Sequence, residues 1–161
     1  MFRQNFRALI LLLCMACLCG GIFAQTATTI TIRVLDGKTG KPLPASGYLV
    51  RVDHEQTEHA NWVVQNDDGT GKLTLPAGAS LLSIRATYDN SMLTYVNCDA
   101  TTGNGPPADH WYSVSEILAS GIVALNGCRK PSDADRIKPA AKPGEFVLMV
   151  RKMSTREQWR E

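Results

Sequence analysis

The chain has 161 residues, with 17 Lys and Arg against 15 Asp and Glu, five cysteines and 44% hydrophobic residues. Both surplus positive charges, Arg3 and Arg7, lie in the first 24 residues, and the remaining 137 residues are formally neutral, with 15 charges of each sign. A neutral chain excludes electrostatic capture of nucleic acid, which needs a basic surface to displace phosphate counterions.

Residues 1–24 have the order of a signal peptide. The segment 1–7 is short and basic, 8–19 is continuously apolar, and 20–24 is rich in small residues. We expect cleavage before Gln25, and therefore an exported protein, periplasmic or extracellular, with no stable membrane insertion afterwards.

Two other roles for this segment stay open. Residues 8–24 form an apolar stretch of 17 residues, which is near the lower limit for a retained membrane anchor. Cys17 or Cys19 could also carry a lipid anchor, although each lacks part of the Leu-x-Gly/Ala-Cys pattern of such sites.

Alternation of polar and apolar residues predicts six short strands between residues 29 and 98. In the first strand Ile30, Ile32 and Val34 share one face, and in the second Arg51 faces away from the apolar side chains. Turns separate the strands and no helical segment intervenes, as in sandwiches and barrels. The predicted strands are 29–34, 48–52, 62–65, 72–75, 81–88 and 92–98.

An insert follows at 99–143. It begins as a surface loop, after which Ser113 and Glu116 form a capping-box pattern that predicts one short helix over residues 114–120. Gly121 is placed to end this helix. A second polar, proline-containing loop completes the insert.

Residues 146–150 are apolar on both faces, which is typical of a central strand. They bring the predicted strands to seven and lead into a polar C-terminal tail at 154–161. We therefore expect one all-β domain over 25–153, a sandwich or a barrel with one short helix in its insert.

The segment 1–24 contains three of the five cysteines and leaves Cys98 and Cys128. In an exported protein two cysteines most simply form a disulfide, because the compartment is oxidising. The alternative is a redox or metal-binding thiol pair, but a separation of 30 residues lacks the Cys-x-x-Cys spacing of such sites.

Three histidines are candidates for a metal site. His54 and His59 enclose a glutamate, as in the H-E-x-x-H helix of zinc hydrolases, but they are five residues apart and would diverge by about 140° on a helix. A metal site using His54, His59 or His110 in loops, serving a small metal-dependent hydrolase, is the alternative to a non-catalytic protein.

The sequence predicts no cofactor. Gly37-Lys38-Thr39 resembles the end of a phosphate loop, but the glycine required earlier in that motif falls at Ile32. A nucleotide site is therefore excluded.

Two stretches carry a resemblance to a known family. Residues 34–45, with Asp36, Thr39-Gly40 and Pro42-Leu43, and residues 68–78, a Gly-containing alternating strand that ends in Pro76-Ala77-Gly78, resemble the carboxypeptidase regulatory-like domain. That family is related in fold to transthyretin. The resemblance covers residues 30–88.

The resemblance implies a seven-stranded, antiparallel, immunoglobulin-like sandwich without catalytic residues, of the kind found as accessory modules in exported proteins. Transthyretin-like hydrolases end in Tyr-Arg-Gly-Ser, whereas this chain ends in Gln-Trp-Arg-Glu, so their activity is not implied. We expect a binding or structural role at the cell envelope, toward a protein or a glycan.

Loops on a rigid scaffold carry function more often than its sheets do. We therefore expect the ligand surface on the insert, with Trp111, Tyr112 and Glu116 as candidate contact residues. The alternative for Trp111 is a position in the hydrophobic core, where a tryptophan in a strand more often lies.

Overall fold

The computed structural model of the chain describes residues 26–43, 47–55, 57, 59–62, 66, 68–89, 92–93, 95–99, 110–128 and 139–158. The predicted signal segment 1–24 lies outside these residues. Over the described residues the chain forms two β-sheets and two short helices, so the all-β prediction is confirmed.

Ten strand segments and two helices occur in this described part of the chain. In chain order they are β1 (Thr28–Asp36), β2 (Gly47–Val52), β3 (His59–Trp62), β4 (Thr70–Leu75), β5 (Leu81–Asp89), β6 (Met92–Leu93), β7 (Tyr95–Asn97), β8 (Tyr112–Ser113), α1 (Val114–Ala119), β9 (Ile122–Val123), β10 (Glu145–Lys152) and α2 (Thr155–Gln158).

The first sheet has the order β4-β1-β10-β7, with β9 also beside β10. Within it β1 and β10 run parallel, from Thr31 opposite Glu145 to Asp36 opposite Val150. The second sheet has the order β3-β2-β5-β6, with β8 also beside β5. Its strand pairs are antiparallel, and a register shift at Gly47 and Tyr48 marks a bulge at the start of β2.

The core lies between the two sheets. The predicted inner face of β1 is fully buried, and it belongs to one apolar cluster with alternate residues of the facing strands β2 and β5. These side chains are removed from water by the opposite sheet, so the period-two pattern is confirmed. The strand residues that form the cluster are Ile30, Ile32, Val34, Tyr48, Val50, Val52, Leu73, Leu75, Leu82, Ile84, Ala86, Tyr95, Phe146, Leu148 and Val150.

The strand β10 is buried on both faces, as predicted for a central strand. Phe146 and Leu148 belong to the core between the sheets, whereas Val147 and Met149 pack on the other face in a second cluster with Leu35. Cys98 also belongs to this second cluster, and the partly buried side chains of Cys128 and Ala141 pack against it. The insert and its disulfide therefore cover the outer face of the first sheet at β10.

The seven-stranded, purely antiparallel form is not confirmed. The first sheet is mixed, because β1 and β9 both run parallel to β10. Periodicity places side chains on faces but contains no information about strand direction, which is set by how the chain closes around the core.

Two predicted strands differ in their bounds. The third begins at His59 rather than Trp62, because a tight turn at Val52–Glu55 returns the chain early enough for His59 to pair with Val50. Residues 63–65 of the predicted strand lie outside the described residues.

The predicted strand 92–98 divides between the sheets. Met92–Leu93 pair with the end of β5 in the second sheet, and Tyr95–Asn97 pair with the end of β10 in the first. A strand that changes sheets in this way closes a corner of a sandwich-like fold.

The predicted helix is present as α1, with Ser113 as its N-cap. The Ser113 hydroxyl accepts a hydrogen bond from the Glu116 amide at 3.3 Å. Val114 and Ile117 face the core, and Gly121, with φ of 79°, follows the C-cap Ser120. The helix ends where predicted because glycine adopts this left-handed conformation without a Cβ clash.

The structure contains the predicted disulfide between Cys98 and Cys128, whose Cα atoms are 5.0 Å apart. The Asn126 side chain donates to the carbonyl oxygen of Gly37 at 2.7 Å, and the Gly127 amide donates to that of Cys98, also at 2.7 Å. Together, the disulfide and these two hydrogen bonds hold the insert against the end of β7 and against the turn that follows β1.

The predicted polar tail includes the short helix α2. Arg151 of β10 donates two hydrogen bonds to the Glu157 carboxylate, and Glu157 also accepts from the amide and hydroxyl of Ser154. Within the described ranges, no helix has the length and apolar character needed to cross a membrane.

Candidate binding surface

Trp111 lies on the outer face of the second sheet. The strand β8 pairs with the start of β5, with Tyr112 opposite Leu82, whose side chain is in the core. Tyr112 turns inward in the same way, and its ring makes an edge contact with Phe146 at 4.8 Å. Trp111 directly precedes β8, so by the alternation of an extended chain its side chain points away from the core, and it is half-buried.

Arg51 approaches this indole from the neighbouring strand β2. Val50 and Val52 are buried in the core, so Arg51 between them projects from the outer face, where it is paired in register with Ser83. Its Cζ atom lies 5.7 Å from the centroid of the Trp111 ring. This distance is within the range of a cation–π interaction, which holds the guanidinium beside the indole.

His54 reaches the same indole from the turn after β2. The Glu55 amide donates to the carbonyl oxygen of Val52 at 2.9 Å, which closes a turn over Asp53 and His54. Both central residues have positive φ, 49° for Asp53 and 62° for His54. The imidazole centroid lies 4.4 Å from that of Trp111, with the rings inclined at 51°.

Asp53 stabilises this turn. Its Oδ1 accepts hydrogen bonds from the Ser80 amide, the Ser80 hydroxyl and the Leu81 amide, at 2.9, 2.5 and 2.9 Å. These bonds, led by that from the Ser80 hydroxyl, lower the pKa of the Asp53 carboxyl. The ionised carboxylate therefore ties the turn to the start of β5.

We call Arg51, His54 and Trp111 the Trp111 patch. Sequence reasoning selected Trp111 but considered His54 only as a metal ligand, and it missed Arg51 and Asp53 as parts of a site. The alternation of β2 does place Arg51 on the outer face. What the sequence does not contain is the pairing of β8 with β5, which brings residues about 60 positions apart into contact.

Tyr112, the second predicted contact residue, does not share this surface. Its hydroxyl donates to Oδ2 of the buried Asp99 at 2.5 Å. Burial, followed by this hydrogen bond, raises the pKa of the phenol well above its usual value. Tyr112 is therefore a neutral donor that fixes the start of the insert beside Cys98.

Glu116, the third predicted contact residue, is exposed on α1, and its backbone amide donates to the N-cap residue Ser113. The structure does not bring the three predicted contact residues onto one surface. Trp111 faces outward from the second sheet, Tyr112 faces the core, and Glu116 lies on the helix.

The three histidines are at separate places. His54 contacts Trp111, the ring of His110 is stacked 6.5 Å from that of Tyr112, and His59 lies in β3, with a side chain outside the described residues. Within the described ranges, no three His, Cys, Asp or Glu side chains are grouped as metal ligands.

Comparison with known proteins finds no matching family model, no similar curated protein and no similar solved structure. The geometry of the described residues is therefore the basis for a functional conclusion.

Proposed function

We propose that the chain is an exported, non-catalytic module that binds a glycan at the cell envelope through the Trp111 patch. The observation that carries this proposal is the half-buried indole of Trp111 on the outer face of a sheet, with Arg51 and His54 beside it. An aromatic ring held this way exposes apolar surface and polar groups together, as carbohydrate recognition requires.

The chemistry of the three side chains favours a sugar. An indole offers an apolar body to the C–H face of a pyranose and an N–H donor to its oxygens. The imidazole of His54 adds a polar group beside this ring. A ligand with an apolar ring face and many acceptor oxygens matches this combination.

Rigidity supports the same proposal. Arg51 lies in β2 and Trp111 directly precedes β8, two strands of a sheet whose other face is the core. His54 is fixed by the turn that Asp53 ties to β5. Contact groups that are already ordered lose little conformational entropy when a ligand binds.

We also propose that the fold is an elaborated carboxypeptidase regulatory-like sandwich. If β6 and β7 are treated as one strand that changes sheets, then β1 to β7 and β10 form a seven-stranded frame, to which the insert adds β8 and β9. The family-like turn after β1 has a fitting geometry. Asp36 Oδ1 accepts from the amides of Lys38 and Thr39, and Gly40 has φ of 71°.

Export is part of the proposal. Its supports are the signal-peptide order of residues 1–24 and the Cys98–Cys128 disulfide, a bond that persists in oxidising compartments.

The test is glycan binding by the chain without residues 1–24, on an array of neutral and carboxylate-bearing oligosaccharides. We expect binding that Trp111→Ala weakens by about tenfold or more, because buried aromatic contacts dominate binding energy. The control is Leu125→Ala, which removes an apolar side chain exposed outside the patch. Equal binding by Trp111→Ala and the parent, or no binding to any glycan, would contradict the proposal.

A further inference from the structure

Asn126 and Gly127, directly before Cys128, form a sequence that is prone to spontaneous chemical change. In an Asn-Gly pair the amide nitrogen of the glycine can attack the side-chain carbonyl carbon Cγ of the asparagine, because glycine has no Cβ to obstruct the approach. The new N–Cγ bond closes a succinimide ring as the Cγ–Nδ2 bond breaks, and ammonia leaves with the proton of the glycine amide. Water then opens the ring to aspartate or isoaspartate.

The fold holds both reacting groups of this pair. The attacking nitrogen, that of Gly127, donates to the carbonyl oxygen of Cys98 at 2.7 Å. The leaving nitrogen, Nδ2 of Asn126, donates to the carbonyl oxygen of Gly37 at 2.7 Å, and Oδ1 accepts from the Cys128 amide at 3.2 Å. Ring closure removes the proton that Gly127 shares with Cys98 and makes the planar Asn126 amide tetrahedral. The bonds to Cys98 and Gly37 therefore oppose the reaction in the folded chain.

The disulfide keeps these partners together. The carbonyl oxygen that binds the Gly127 amide belongs to Cys98, and Cys98 is joined to Cys128, the residue after Gly127. Gly127 is exposed and Asn126 is half-buried, so water reaches the pair. Once the cross-link is cut, hydrogen bonds at the surface hold the pair, and such bonds open locally at a small cost in free energy.

We propose that Asn126-Gly127 is a covalent modification site, which the Cys98–Cys128 disulfide protects and which a dithiol reductant opens to deamidation. The dithiol gives two electrons and two protons to the disulfide, which becomes two thiols, and is itself oxidised to a disulfide. The released Asn126 then loses ammonia and takes up one water, as in the ring closure and opening above.

Deamidation makes the opening irreversible. The carboxylate that replaces the Asn126 amide has no Nδ2 donor, so it sets an acceptor against the carbonyl oxygen of Gly37. Isoaspartate also lengthens the main chain by a methylene group directly before Cys128. Both products hinder the return of Cys128 to Cys98, and the site records that the protein has met a reductant.

The test follows deamidation in the chain without residues 1–24 at mildly alkaline pH, with and without dithiothreitol. Thiols are alkylated, the chain is digested at acidic pH, and the mass gain from amide to acid is measured on the peptide that contains Asn126. We expect conversion at least about tenfold faster in the reduced chain, because cutting a cross-link of this separation raises the population of the opened segment. Equal rates in the oxidised and reduced chains would overturn the role of the disulfide.

Two controls separate the fold from the reagent. Cys98→Ala/Cys128→Ala should convert at the rate of the reduced parent whether or not dithiothreitol is present. Asn104-Gly105, a second such pair in the sequence, gives the intrinsic rate in urea, where both pairs should convert equally fast. If Asn126 in the folded, oxidised chain converts as fast as it does in urea, protection by the fold is overturned.

Asn126→Asp tests irreversibility, because it supplies the aspartate product directly. After reduction, re-formation of the disulfide with oxidised glutathione should be at least about threefold slower than in the parent, since the bond to Gly37 is lost. The matched control is Asn66→Asp, where the amide bonds to Thr70 in a different turn, and it should re-form the disulfide at the parent rate. An unchanged rate for Asn126→Asp would overturn the irreversible step.

Discussion

Gly37 shows how one residue links the turn after β1 to the disulfide. A Cβ at this position would lie 2.5 Å from Sγ of Cys98 and 2.9 Å from Oδ1 of Asn126. Its φ is not in the left-handed region, so space rather than backbone conformation requires glycine here. The close approach lets Asn126 bond to the Gly37 carbonyl oxygen.

Gly37→Ala should therefore destabilise the protein by about 1 to 3 kcal/mol, the usual cost of overpacking. The measurement is urea unfolding in the parent and in a Cys98→Ala/Cys128→Ala background, which lacks the clashing sulfur. The double variant should itself be about 3 to 4 kcal/mol less stable than the parent, because its unfolded chain is no longer constrained by a bond between residues 30 positions apart. An equal penalty for Gly37→Ala in both backgrounds would contradict the proposed contact.

At the scale of elements, the long alternating strands could be predicted and the short pairings could not. The buried face of β1, with Ile30, Ile32 and Val34, follows from the period of its sequence. Tyr112–Ser113 and Ile122–Val123 are only two residues each, too short to show a period, and they are strands because β5 and β10 offer open edges to them. The Trp111 patch depends on one of these pairings, so it could not be predicted.

The two helices show the same limit. Ser113 with Glu116 and Ser154 with Glu157 have the same S-x-x-E pattern, but only the first was expected to start a helix. The pattern could have predicted α2 as well. The ion pair between Arg151 and Glu157, which we call the Arg151–Glu157 clasp, could not be predicted, because it requires the chain to turn back along β10.

The Arg151–Glu157 clasp predicts a pH dependence. Hydrogen bonds from Arg151, then from Ser154, lower the pKa of Glu157 to about 2 from an ordinary value of 4.5. Because the folded pKa is depressed, the stabilisation is present above about pH 4.5 and is lost as the pH falls toward 2. For so exposed a pair we expect about 0.5 to 1 kcal/mol.

The measurement is the unfolding free energy of Glu157→Gln relative to the parent. The deficit should be present at pH 7 and shrink as the pH falls below about 4.5. Glu116→Gln, at the equivalent position of α1, is the control and should have a smaller effect, since Glu116 has no arginine bonded to its carboxylate among the described residues. A deficit that does not change with pH would contradict the role of the clasp.

At the scale of the whole molecule, each of the two sheets uses its outer face differently. The first is covered at β10 by the insert, its disulfide and the second apolar cluster. The second sheet presents Arg51 and Trp111 outward beside the His54 turn. This asymmetry follows from the insert. It begins after Cys98, adds β8 to the edge of the second sheet beside β5, and adds β9 to the first sheet beside β10.

The most direct test of the account is the indole N–H resonance of Trp111 during titration with an oligosaccharide that binds the protein on the array. The sequence has three tryptophans, so three indole signals are expected, and Trp111→Phe identifies the relevant one. We predict that the Trp111 signal shifts in proportion to saturation while those of Trp62 and Trp159 stay in place. A Trp111 signal that remains unchanged at a saturating concentration of that oligosaccharide would contradict the account.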